Sequence, residues 1–207
     1  MLRLLAYVWV YINREHRIVR ASQPYFLYEL CWGSITSLST IVAISFDESY
    51  GWDEQQLSRA CVATPWLLSL GHIITYGALF SKLWRINKVL QLSRRRIDVR
   101  QVVWPSAILF LAALIILGLC AGLDSMQWRR VQVNSETGET IGRCDSEHFA
   151  AFLIPLVLIM IIPTVLTMIM AWKTKDIDGS YSESYWISVM VIVQLEVIFI
   201  AVHTLSL

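Results

Sequence analysis

Residues 61–89 read CVATPWLLSLGHIITYGALFSKLWRINKV, and the rest of the chain is arranged around this stretch. It opens on Cys61, continues through mostly apolar residues, and closes on Lys82, Arg85 and Lys88 with Trp84 among them. At 1.5 Å rise per residue, such a run is long enough to cross a bilayer as a helix. A basic cluster with an aromatic beside it, just past the apolar part, marks the end that leaves on the cytoplasmic side.

Working outward, four more apolar blocks occupy residues 25–46, 102–123, 149–172 and 186–207. In a soluble core helix polar residues would recur every third or fourth position, and here whole turns pass without one. The chain of 207 residues is 56% hydrophobic and only 16% charged, low in charge and high in apolar content for a soluble domain. Five spans of this length predict an all-α membrane protein. Lipid cannot satisfy open backbone groups, and no alternating strand pattern of barrel type is present.

The net charge of +1 decides nothing, but its distribution decides the orientation. Arg14, His16, Arg17 and Arg20 precede the first full span, and Arg94, Arg95, Arg96 and Arg100 lie between the second and third. Asp47, Glu48, Asp53 and Glu54 lie between the first and second, opposed only by Arg59. The positive-inside rule puts loops 13–23 and 91–101 in the cytoplasm and 47–60 outside. By alternation 124–148 is outside and 173–185 inside, where Lys173 and Lys175 agree.

Cys31 and Cys120 fall within spans and pack as small hydrophobes. Cys61 begins a span at its outer end and Cys144 lies in the long outer loop, both facing an oxidising compartment. A Cys61–Cys144 disulfide pinning that loop over the bundle is the expected pairing, against two unpaired thiols. Within the loop, residues 130–133 and 140–143 flank a turn containing Gly138 and read as a short β-hairpin ending at Cys144. Pro155 and Pro163 stand inside the next span, where prolines are tolerated and commonly kink the helix.

No phosphate-binding glycine loop, zinc-protease motif, paired-cysteine metal spacing or nucleophile elbow occurs. Neither an enzyme nor a cofactor, metal or nucleic-acid partner is expected; membrane lipid is. The intramembrane polar candidates are His72, Tyr76, Glu196 and His203. His72 and Tyr76 are one turn apart and share a helix face. Glu196 is mid-span, where a carboxylate must be paired, wet or protonated. These three are candidates for a pocket inside the bundle, and a hydrogen-bonded structural acid is the plainer alternative for Glu196.

Certain blocks resemble a known family. The pattern R-x-S-Q-P (Arg20, Ser22, Gln23, Pro24), then Cys61, Trp66-Leu67-Leu68, Gly71 and the block YGALFSKLWRI at 76–86, resembles class C G-protein-coupled receptors around their third helix. The likeness is to the metabotropic GABA-B branch. Asp124 with Trp128 and Arg129 opens an outer loop carrying Cys144, and AWKTKDI at 171–177 resembles that branch's exit from the fifth helix. The resemblance implies a seven-helix bundle signalling through a heterotrimeric G protein, usually as a homo- or heterodimer, with agonist bound by an extracellular bilobed module. The five full spans then correspond to helices two to six, preceded by the inner end of helix one in residues 1–12. Helix seven is absent, so the chain reads as a partial bundle and a fragment of something longer.

In such receptors a lysine at the inner end of helix three pairs with an acidic residue at the start of helix six, near a serine of the first inner loop. By position these are Lys82, Glu183 and Ser22. The resemblance also implies a G-protein-facing surface of Arg94, Arg95, Arg96, Arg100, Lys173 and Lys175. The rival expectations are a small multi-pass transporter or channel subunit, working through Glu196 and the Pro155/Pro163 helix, and a non-signalling receptor fragment. No internal repeats favour the transporter.

Overall fold

The computed structural model describes residues 8–16, 24–48, 51–91, 99–123, 126–132, 140–146 and 148–174. Among the described residues four long helices carry the fold: α1 (Pro24–Ile44), α2 (Glu54–Gln91), α3 (Val99–Leu123) and α4 (Phe149–Thr174). Between α3 and α4 lies an antiparallel hairpin, β1 (Gln127–Gln132) with β2 (Thr140–Asp145). All four helices are long and apolar enough to cross a membrane. The fifth expected span, 186–207, lies outside the described residues.

The organising stretch differs from its expected bounds. Its helix begins at Glu54, not at residue 61, so the outer loop expected over 47–60 is correspondingly shorter. The reason is local: Asp53 caps the helix. Its Oδ1 accepts from the Glu54 N–H at 3.0 Å, while Gln56 Oε1 accepts from the Asp53 N–H at 3.1 Å. The Gln56 bond to the Asp53 N–H is one half of a capping box, and this N-terminus adds two outer turns that apolar content alone does not reveal. At 38 residues α2 is about 57 Å long, well beyond the roughly 30 Å of hydrocarbon. The strands likewise run longer than expected, starting at Gln127 instead of 130 and ending at Asp145 instead of 143.

Helix α2 is the hub, meeting α1, α3, α4 and β1. Small residues set the closest approaches. Gly33 of α1 lies against Gly71 and Thr75 of α2, and a Cβ at Gly33 would come within 2.6 Å of Thr75 Oγ1. Gly77 of α2 faces Ser106 of α3, whose hydroxyl donates to the Gly77 carbonyl at 3.3 Å. One turn further in, Ser81 Oγ donates to the Val102 carbonyl at 3.2 Å. Membrane helices gain nothing by hiding apolar surface from lipid, so close packing and such hydroxyl bonds hold them together. The apolar core among the described residues is Ile73, Ala113, Leu117 and Leu156, where α2, α3 and α4 converge. The opposite face of α3 exposes Trp104, Ile108, Leu111, Ile115 and Leu119, an apolar face suited to lipid or to a neighbouring helix.

Candidate functional site

The candidate side chains stand at three levels along α2, named outer to inner by its expected orientation. At the outer level Cys61 and Cys144 are joined, with Cα atoms 5.6 Å apart. The register pairs Trp128 with Cys144, so alternation puts Trp128, Arg130 and Cys144 on one face of the hairpin. That face meets the bundle. The Trp128 N–H donates to Ser58 Oγ at 3.2 Å, and its indole Nε1–H donates to Glu48 Oε1 at 2.5 Å. Arg130 Nε donates to Glu48 Oε2 at 3.0 Å, and its Nη2 also reaches that oxygen. Glu48 therefore grips β1 while the disulfide grips β2. A Cβ at Gly142 would land on the Trp128 indole, 2.7 Å from Cε2, so any larger residue there must displace the ring.

The Arg130 guanidinium, and then the Trp128 indole, hold the Glu48 carboxyl below its ordinary value of 4.5. Arg130 is raised in return by the same bond. Because the folded state makes Glu48 the stronger acid, its contribution is complete above the unfolded value and is lost as pH falls through the lower folded one. Hydrogen exchange of the β1 amides should accordingly quicken below about pH 4.5 in the parent and be insensitive to that pH range in Glu48→Gln. Equal acid sensitivity in both would show that Glu48 does not hold the strand.

At the middle level His72 and Tyr76 do face the bundle interior. Both are buried, with ring centroids 4.4 Å apart. His72 Nε2 lies 2.9 Å from Thr164 Oγ1 and 3.3 Å from the Met160 carbonyl. A carbonyl only accepts, so Nε2 carries the proton; the Thr164 hydroxyl gives its own to Met160 O at 3.0 Å. Thr167 Oγ1, 2.7 Å from the Pro163 carbonyl, also reaches the Tyr76 carbonyl at 3.1 Å. This polar seam stitches α2 to α4 beside Pro163. Thr164 and Thr167 were not among the candidates. Their signal in the sequence was a hydroxyl one residue and four residues after a proline, the positions that commonly serve the backbone near such a break. Glu196, the third pocket candidate, lies outside the described residues.

At the inner level Lys82 is half-buried on α2 beneath the Ser81–Val102 contact. Lys88 lies over the Trp84 ring at 4.5 Å, and Phe80 packs on Trp84 with centroids 5.4 Å apart. Lys173 is exposed in the last turn of α4, and Arg100 lies in the first turn of α3. Ser22, Arg94, Arg95, Arg96, Lys175 and Glu183 lie outside the described residues. No group of three or more metal-ligating side chains occurs among the described residues.

A helix tied by sulfur two turns inside one end to a hairpin, and basic towards the other, agrees with what the whole chain matches. Residues 1–207 match the family described as "7 transmembrane sweet-taste receptor of 3 GCPR". The chain belongs to this class C G-protein-coupled receptor family. As a member it is a multi-pass membrane protein, and its four long described helices are long and apolar enough to belong to the family's transmembrane bundle. It is 22% identical over 197 residues to gamma-aminobutyric acid type B receptor subunit 2 of Caenorhabditis elegans, covering 84% of this chain and 22% of that one. Against subunit 1 of Mus musculus it is 25% identical over 134 residues, 63% of this chain and 13% of that one. Metabotropic glutamate receptor-like protein B of Dictyostelium discoideum is 27% identical over 189 residues, 87% of this chain and 24% of that one. The chain thus spans about a fifth of the length of the receptor subunits it matches.

Proposed function

We propose that this chain forms the membrane-spanning signalling part of a GABA-B-like receptor, carrying the effect of an extracellular ligand to a heterotrimeric G protein. The observation that carries the reading is the match of the family over residues 1–207, supported by an α2 of 38 residues, longer than a bilayer crossing needs. A rigid helix of that length, clamped outside by the hairpin and basic inside, is suited to relay a displacement between the two faces. Likeness to both subunit 1 and subunit 2 of the type B receptors supports work as a homo- or heterodimer.

In this reading Lys82 pairs with Glu183 near Ser22 as an inner lock holding two helix ends together until activation separates them. The cations Arg94, Arg95, Arg96, Arg100, Lys173 and Lys175 form the surface offered to the G protein. His72, Tyr76 and Glu196 line the bundle interior. An ion pair at a partly wet rim is worth up to about 1 kcal/mol, so its loss shifts a two-state equilibrium by roughly fivefold at most. Guanine-nucleotide exchange in cells bearing the complete receptor is the test. Lys82→Ala and Glu183→Ala should each raise agonist-free exchange about two- to fivefold, and the charge-swapped double variant should return it toward the parent. Unchanged basal exchange in both single variants removes the lock, and no agonist-driven exchange from the complete parent receptor removes the function.

A further inference from the structure

A groove of about 500 Å³ runs between the outer halves of α1 and α2. Its walls are Val42 and Ala43 from α1 and Ala60, Ala63 and Leu67 from α2. Phe46 and Trp52 close its outer end edge to face, with ring centroids 4.6 Å apart. That volume is within the roughly 300–1,000 Å³ typical of small-molecule sites. The lining is apolar apart from Ser39, whose hydroxyl is spent on the Ile35 carbonyl at 2.9 Å, and the rim, where Gln56 and Arg59 stand. Gln56 Oε1 is engaged in capping α2, which leaves its amide N–H groups to donate outward. Arg59 is exposed and takes part in no hydrogen bond or ion pair with another described residue, unlike Arg130, which Glu48 engages.

The groove belongs neither to the polar seam at His72 nor to the inner rim, and nothing in the proposed signalling uses it. Its chemistry selects an occupant. The lining asks for a chain that forms no hydrogen bonds, and the rim asks for an acceptor-rich anion, since Arg59 and the Gln56 amide only donate. Trp52 marks the same level, for tryptophan gathers where hydrocarbon meets headgroup. We propose that the groove holds a phospholipid of the outer leaflet, one acyl chain between α1 and α2 and the phosphate on Arg59. The bound chain fills a gap above the Gly33–Gly71 crossing that the two helices do not close themselves.

The test uses the complete receptor in phosphatidylcholine vesicles containing a trace of phosphatidylcholine with a photoreactive diazirine on its acyl chain. After irradiation, peptides of α1 and α2 that carry Val42, Ala43, Ala60 and Ala63 should bear the label. Arg59→Gln should lower that labelling about tenfold, the factor equivalent to ~1.4 kcal/mol for a lost charge-assisted contact. Ala63→Trp, which fills the groove, should abolish it while labelling of α3 stays at the parent level. Should Ala63→Trp fail to reach the membrane, Arg59→Gln decides alone. Labelling unchanged in Arg59→Gln overturns the proposal. So does preferential labelling of these peptides by a photoreactive sterol, whose hydroxyl cannot serve as the anion.

Discussion

Gly71→Ala should be among the most damaging single-methyl changes available in this receptor. The added Cβ would come within 2.5 Å of both the nitrogen and the hydroxyl of Ser37, and 2.9 Å of the Gly33 carbonyl. Two of those three atoms are backbone and cannot swing aside. The helices must therefore separate, and every contact along the α1–α2 seam weakens together, because dispersion falls steeply over half an ångström. Overpacking commonly costs about 1–3 kcal/mol, and a clash against backbone belongs at the upper end or beyond. Gly118→Ala and Gly122→Ala provide the comparison: nothing lies within 4 Å of a Cβ at either, so each should stay within about 0.5 kcal/mol of the parent. Thermal inactivation of the complete receptor in detergent would read the difference. If Gly71→Ala proved as stable as Gly118→Ala, the tight crossing would not exist in the membrane.

Breaking the Cys61–Cys144 bridge should produce the second large effect. The bridge closes a loop spanning 83 residues, for which chain-entropy arguments put a ceiling of about 4.5 kcal/mol on its contribution. The actual figure falls below that ceiling, because α3 stays helical in lipid whether or not the bridge forms. The structural consequence is specific. In Cys61→Ser, β2 loses its anchor, while β1 keeps its bonds to Glu48 and Ser58. Hydrogen exchange should therefore quicken first at the β2 amides, and agonist-driven nucleotide exchange should fall. Adding Cys144→Ser should make matters no worse, since both changes remove one bond. Adding Glu48→Gln should loosen β1 as well, leaving it the bond from the Trp128 N–H to Ser58. An additive double-cysteine variant would mean that each thiol serves separately.

Much of this architecture is readable along the chain, and the reason is physical. A span is a matter of apolar length, its direction a matter of which flank carries arginine and lysine, and a hairpin a matter of turn residues between short runs. Each is a property of neighbours in sequence. The start of α2 was equally local, written in Asp53 and Gln56, but a reading by apolar content passes over it because both residues are polar. His72 and Tyr76 could be assigned to one face of α2 from their spacing; that this face meets Thr164 and Thr167 could not.

The chain alone, then, determines that helices are long and apolar enough to cross a membrane, and its flanking charges and cysteines set the expected orientation and the expected Cys61–Cys144 pairing. Only the tertiary structure decides that Gly33 meets Gly71, that His72 bonds across to Thr164, and that Glu48 reaches Trp128 and Arg130 from 80 and 82 residues away. Those partners are chosen by which helix faces fit at the closest distance. That fit depends on shapes presented by several elements at once, and no single segment encodes it.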